Sequence, residues 1–141
     1  GLWIARELQA AGKGKLITIE IDESRAKQAQ ANFTKAGLAD VVDVRVGDAR
    51  KLVREINQPV DFLFIDCNFS NYGPCFAGIE DRLEDGAVVV ADNVGVGASS
   101  MKDYLDVVRG NHESKTDWYD IDLPWGKRDA MEVSVIKRGK E

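Results

Sequence analysis

Two periodicities alternate along the chain. Leu2 to Ala11 places Ile4, Leu8 and Ala11 at helical spacing and stops at Gly12, which predicts a helix. After the Gly12-Lys13-Gly14 turn, Leu16 to Ile21 predicts a strand. Ser24 to Ala36 predicts a second helix, with Ala26, Ala29, Phe33 and Ala36 on one face and Gly37 as its stop. Val41 to Val46 predicts a strand. Asp48 then caps a short helix that buries Leu52, Val53 and Ile56, and Pro59 ends the segment. Val60 to Ile65 is a further strand and Asn71-Tyr72-Gly73-Pro74 a loop. The helix that follows shows Phe76, Ile79 and Leu83 on one side. Asp85-Gly86 turns into an unbroken apolar run from Ala87 to Ala91. Such a run between turn residues suits a strand covered on both faces, as in a parallel sheet. Ser100 with Asp103 has the form of a capping box. It opens a helix with Met101, Tyr104, Leu105 and Val108 inward, closed by Gly110.

The tail changes period. Lys115 to Leu123 alternates, with Tyr119, Ile121 and Leu123 on one side. After Pro124 to Arg128 a second run sets Met131, Val133 and Val135 facing one way. Two strands with no helix between them predict an antiparallel pair at the sheet edge. The fold class is therefore α/β, a sheet with helices on both faces finished by a long hairpin, in one domain.

Three predicted strands end in acids. Glu20 and Asp22 stand near the close of the first, Asp66 ends the run from Val60, and Asp92-Asn93 follow the apolar run. Ligands of open α/β sheets sit beyond the carboxyl ends of the strands. An acid at Glu20 can accept both hydroxyls of a ribose, or simply be a solvated surface acid. Asp48 can meet an adenine amino group, cap its helix, or do both. Asp66, Asp92 and Asn93 together are hard oxygen donors suited to Mg²⁺ or Ca²⁺, with positions left for water and substrate. A cation there would lower the pKa of a bound hydroxyl. The plainer alternative is one carboxylate tying down a loop while the other stays solvated.

Composition narrows the classes. The 141 residues carry a formal net charge of −5, which argues against a broad nucleic-acid footprint. No apolar run approaches the roughly 20 residues of a membrane helix. Cys67 and Cys75 are the only cysteines, too few for a disulfide framework, and point to a reducing cytoplasm.

The segments Leu16-Ile-Thr-Ile-Glu-Ile21, Val46-Gly-Asp48, Phe64-Ile-Asp66, Val90-Ala-Asp-Asn-Val94 and Met131-Glu-Val-Ser-Val135 resemble class I S-adenosylmethionine-dependent O-methyltransferases. The nearest branch is the cation-dependent one that is similar to catechol O-methyltransferase. The resemblance runs from Gly1 to Gly139. It implies a Rossmann-like sheet of seven strands, whose first, central strand and glycine-rich loop fall before Gly1. It also implies S-adenosylmethionine as cofactor, held by Glu20 and Ile21 at the ribose, by Asp48 and Ala49 at the adenine, and by Asp66. Asp66, Asp92 and Asn93 become the metal ligands and catalytic centre. A small hydroxylated aromatic acceptor and a homodimer complete the expectation. Trp118, Tyr119 and Trp125 wall a pocket for a flat substrate, or only pack the hairpin.

Two departures stand out. Phe69 occupies the place of the lysine that the family often uses as base. The acid that catechol-type enzymes use to hold a substrate hydroxyl falls near Trp125-Gly126, and no acid stands at that place. Phe69 keeps open a metal-independent methyltransferase of the same fold. A non-catalytic S-adenosylmethionine- or nucleotide-binding domain is a third reading. A nicotinamide-binding domain, conceivable from Glu20 alone, is opposed by the hairpin and the Asp92-Asn93 pair. Lys127 and Arg128 either draw an acidic substrate or form a solvated turn, and His112 is read as a surface residue.

Overall fold

The first helix, α1 (Leu2–Ala11), ends where the periodicity places its stop: Gly12 takes a left-handed conformation, φ 68°, and its N–H returns to the carbonyl of Gln9. A computed structural model of the chain describes residues 1–124 and 126–139. It has two compact units, Gly1–Glu55 and Ile56–Glu141.

In the first unit, β1 (Leu16–Glu20) pairs in parallel with β2 (Val42–Val46), joined through α2 (Glu23–Lys35). Asp22 caps α2, its carboxylate accepting from the Arg25 N–H at 2.8 Å. The core is small: Ala5, Phe33, Leu38 and Val42. Asp48 caps the single turn α3 (Ala49–Leu52), as one of its two predicted roles required. Val53 is buried and Leu52 half-buried; Ile56, the first residue of the second unit, is buried as well.

In the second unit, β3 (Val60–Ile65) lies parallel to β4 (Leu83–Ala91), which lies antiparallel to β6 (Gly126–Val135). The sheet order is β3-β4-β6-β5, with β5 (Glu113–Leu123) at the edge, so the terminal hairpin is present as predicted. Among the described residues the strands number six, in sheets of two and four, where the resemblance implies seven in one. Among the described residues this unit has three α-helices, α4 (Tyr72–Ile79), α5 (Val94–Gly97) and α6 (Lys102–Asn111).

Several local expectations are corrected. The stretch read as a loop begins α4 at Tyr72; Pro74 sits in the first turn, where a missing N–H costs nothing. The pull is burial, since Tyr72 is fully covered in the core. Leu83 opens β4 rather than closing a helix. Gly86, at φ 82°, lies inside that strand, donating to the Ile136 carbonyl where the pairing with β3 shifts register. No capping box forms at Ser100: Met101 is the cap residue of α6 and is fully buried, and Asp103 accepts from the adjacent Tyr104 N–H. Helix α6 runs through Gly110 to Asn111. Of β4, Ala87, Val89 and Ala91 are buried, but Val88 and Val90 on the other face are half-buried, so cover is complete on one side only.

The fully buried face of β6 is not the one with Met131, Val133 and Val135. It carries Ala130, Glu132, Ser134 and, just beyond the strand, Ile136. Glu132 is 1% exposed and ionised against Arg109, whose Nε and Nη2 each lie 2.8 Å from its oxygens, and Thr116 donates its hydroxyl at 2.5 Å. Burial opposes that ionisation, but the fork and the hydroxyl outweigh it and hold the carboxyl below its ordinary value. Asp129 is depressed in the same way: burial is outweighed by donors from Asn93, Ala130, Val96 and Gly95. Both ionised forms therefore add stability that is complete above the ordinary carboxylate range and is lost as pH falls through the depressed values. Thermal melting is expected to hold steady near neutrality and to fall progressively below about pH 4, with a shallower fall in Glu132→Gln. An identical acid limb in wild type and variant would contradict this assignment.

Candidate functional site

The parallel register pairs Ile65 with Ala91, and the Asp92 N–H donates to the Ile65 carbonyl at 3.1 Å. Asp66 and Asp92 are the next residues of those two strands, so they stand at neighbouring strand ends. Burial raises the Asp66 carboxyl above its ordinary value, and the Asp92 charge raises it further. Among the described residues neither carboxylate forms an ion pair with a lysine or arginine. The two like charges disfavour one another, and a divalent cation bound there would offset that.

Asp92 is held firmly. Its Oδ1 accepts from the Asn93 N–H at 2.8 Å and from the Tyr119 hydroxyl at 2.9 Å, and its carbonyl accepts from the Tyr72 hydroxyl at 2.9 Å. Burial and that bond to Asp92 push the Tyr119 phenol up to about 12, so it serves as a donor. Asn93 is the only non-glycine residue with positive φ among those described, at 57°, a conformation asparagine tolerates better than most residues. Its Nδ2 donates to Asp129 Oδ2 at 2.9 Å. Asp129 Oδ1 gathers the N–H groups of Gly95, Val96 and Ala130 at 2.8–3.1 Å. Gly95 is needed for that approach: a Cβ there would lie 2.8 Å from Asp129 Oδ1 and 2.9 Å from the Trp118 ring.

No group of three or more His, Cys, Asp or Glu side chains able to hold a metal occurs among the described residues. The candidate donors at these strand ends are instead two carboxylates and the Asn93 amide oxygen. They fit a hard cation that keeps water or substrate in its remaining positions.

Of the cofactor candidates, Glu20, Ile21, Asp48 and Ala49 belong to the first unit and Asp66 to the second. Glu20 Oε1 accepts from the Asp22 N–H at 2.9 Å, with Arg25 Nε 3.7 Å away, and Ile21 is 69% exposed beside it. Asp48 is more committed than its sequence context shows. Arg50 donates to both its oxygens, at 2.7–3.1 Å, and that pairing holds the carboxyl below its ordinary value. Ala49 is the first residue of α3.

On the hairpin, Trp118 is 52% exposed with the Arg128 guanidinium 4.8 Å from its ring centroid. Arg128 is thereby engaged at the hairpin, as is Lys127, which pairs with Asp122. Trp125 lies outside the described residues. Phe69 turns into the core and meets Tyr72 edge-on at 6.3 Å. Cys67 packs on the same core, its thiol pushed up by a hydrogen bond with Cys75 and by burial. His112 is not a surface side chain: it is 4% exposed, and its Nδ1 accepts from the Lys137 N–H at 3.2 Å.

Asp129 and Tyr72 escape sequence reading. Asp129 is distant from Asn93 along the chain, and only the pairing of β4 with β6 joins them. The available signal was an acid inside an alternating strand, which needs a buried partner.

The family described as "Methyltransferase domain" matches residues 1–94. A catechol O-methyltransferase of Niastella koreensis is 38% identical over 97 residues, covering 66% of this chain and 43% of its own length. A catechol O-methyltransferase of Mycobacterium tuberculosis is 34% identical over 110 residues, with 76% and 49% covered. The chain thus spans about half the length of these curated relatives. Among solved structures, the O-methyltransferase TomG of Streptomyces achromogenes, crystallised with S-adenosylmethionine, superposes with a TM-score of 0.84. It is 23% identical, with 97% of this chain and 67% of that one covered, which shows a shared class I Rossmann-like fold. With two thirds of its residues inside the family match, the chain belongs to the methyltransferase-domain family.

Proposed function

We propose that the chain belongs to an S-adenosylmethionine-dependent O-methyltransferase that acts on a hydroxyl of a small aromatic molecule with help from Mg²⁺ or Ca²⁺. The observation that carries this reading is the pair of strand-end carboxylates, Asp66 and Asp92, which no lysine or arginine among the described residues pairs with, next to Asn93 in the chain. These three residues would hold the cation. Glu20 and Ile21 would take the ribose of the cofactor, and Asp48 with Ala49 its adenine. When bound, the cation supplies a lowered pKa for the acceptor hydroxyl and the cofactor supplies the electrophilic methyl. The protein's own work is alignment for an in-line displacement and exclusion of water. Tyr119 and Tyr72 keep Asp92 in place, and the Trp118 ring, close to Gly95, is the candidate surface for a flat substrate. Phe69 has no proton acceptor, so the hydroxyl proton leaves to solvent past the exposed Asp66. A net charge of −5 and two free cysteines suit a cytoplasmic enzyme for small molecules rather than nucleic acids. A homodimer is part of the same reading.

Calorimetric titration of Mg²⁺ and Ca²⁺, with and without S-adenosylmethionine, followed by methyl-transfer assays on a panel of catechols, tests the proposal. Saturable cation binding and methylation suppressed by chelator are expected. Phe69 favours one second reading, a metal-independent methyltransferase of the same fold, and methylation untouched by chelator would establish that instead. Tight cofactor binding with no turnover would leave only a binding domain.

A further inference from the structure

We infer that Asp129 is a positioning residue: it pins the side-chain amide of Asn93 so that Oδ1 is the atom offered to a divalent cation. The inference rests on the cation reading above and extends it to a residue that does not touch the metal.

An asparagine amide can present either end, and nothing in its own shape selects oxygen over nitrogen. Here the selection comes from the neighbour. Asp129 is 1% exposed, and its Oδ1 is filled by three backbone N–H groups, from Gly95, Val96 and Ala130. Those donors keep it ionised, and an ionised carboxylate only accepts. Its remaining oxygen, Oδ2, therefore admits Nδ2 of Asn93 and rejects Oδ1, which matches the 2.9 Å contact observed. Among the described residues, Oδ1 of Asn93 has no protein partner. The backbone works to the same end. Asn93 sits at φ 57°, in the left-handed region, and the loop after it is tied to Asp129 at Gly95 and Val96. One buried carboxylate thus fixes both the turn and the rotamer of the candidate ligand. Partners of this kind commonly govern metal affinity without ligating.

The test exchanges donor and acceptor. In Asp129→Asn the oxygen that gathers the backbone N–H groups can stay, but an amide nitrogen now faces Nδ2. Asn93 relieves that clash by rotating, which turns its NH₂ toward the cation. In the double variant Asn93→Asp with Asp129→Asn, acceptor and donor are restored with their positions swapped, and a carboxylate oxygen again faces outward. Mn²⁺ alone is titrated by calorimetry into wild type, D129N, N93D and N93D/D129N, with melting temperatures recorded for each. D129N is expected to bind Mn²⁺ about 10- to 100-fold more weakly than wild type, and the double variant to recover most of that loss. If D129N fails to fold, N93D against the double variant carries the comparison. N93D sets two carboxylates face to face, so the double variant should bind more tightly and melt higher. Rescue of this kind is not expected of a carboxylate that merely stabilises the loop. Wild-type affinity in D129N, or no advantage of the double variant over N93D, overturns the inference. Absence of Mn²⁺ binding by wild type overturns the cation reading itself, and the inference with it.

Discussion

Asp92→Ala is expected to remove cation binding and to lower cation-dependent methyl transfer by at least about 10³-fold, a loss of about 4 kcal/mol in transition-state stabilisation. The magnitude follows from how many contacts end on one carboxylate. Asp92 is one of two acids in the donor set, and it also receives the Tyr119 hydroxyl and the Asn93 N–H. Truncation removes a ligand charge and leaves a phenol without its acceptor. Mn²⁺ titration and single-turnover methylation of a catechol measure the two parts. The informative control is Tyr119→Phe, which keeps both ligand carboxylates but frees Asp92 Oδ1 from its phenol. A modest loss there, against near-complete loss in Asp92→Ala, separates ligation from orientation. Retention of cation binding in Asp92→Ala would refute the assignment.

Arg109→Met is expected to destabilise the fold by about 3 kcal/mol and to lower the melting temperature by roughly 10 °C. The substitution preserves most of the side-chain volume and removes the fork. What it leaves is a carboxylate, Glu132, that is 1% exposed and has only the Thr116 hydroxyl for compensation. The comparison is Lys102→Ala, which breaks the Lys102–Asp106 pair on the outer face of α6, where both side chains are more than half exposed. That change should cost well under 1 kcal/mol. The double variant Arg109→Met with Glu132→Leu should recover much of the loss, because the cost lies in the stranded charge rather than in the missing pair. Chemical denaturation of the four proteins distinguishes these cases, and equal destabilisation by Arg109→Met and Lys102→Ala would refute the argument.

Much of the fold was legible because its elements announce themselves locally. The helix at Leu2–Ala11 and the strand at Val60–Ile65 fall where periodicity places them. Each has a clean pattern and a punctuating residue. Errors occur where burial overrides punctuation. Gly73 and Pro74 read as a loop, yet they lie in the first turn of α4 because Tyr72 and Phe76 are wanted in the core. Ser100 and Asp103 read as a capping box, but the burial of Met101 sets the start of α6 instead. His112 reads as a loop residue among polar neighbours, yet its ring is covered beside Phe76.

The order of residues by itself determined the α/β class, the terminal hairpin and the arrival of Asp66 and Asp92-Asn93 at strand ends, since strand period and turn chemistry act over a few neighbours. Tertiary structure alone decided which acids matter to one another. The pairing of β4 with β6 brings Asp129 to Asn93. The fold of β5 brings Tyr119 to Asp92, and the packing of α6 brings Arg109 to Glu132. Burial then makes each of these polar contacts obligatory, because a charge or amide removed from water must find its partner within the fold, however distant in the chain.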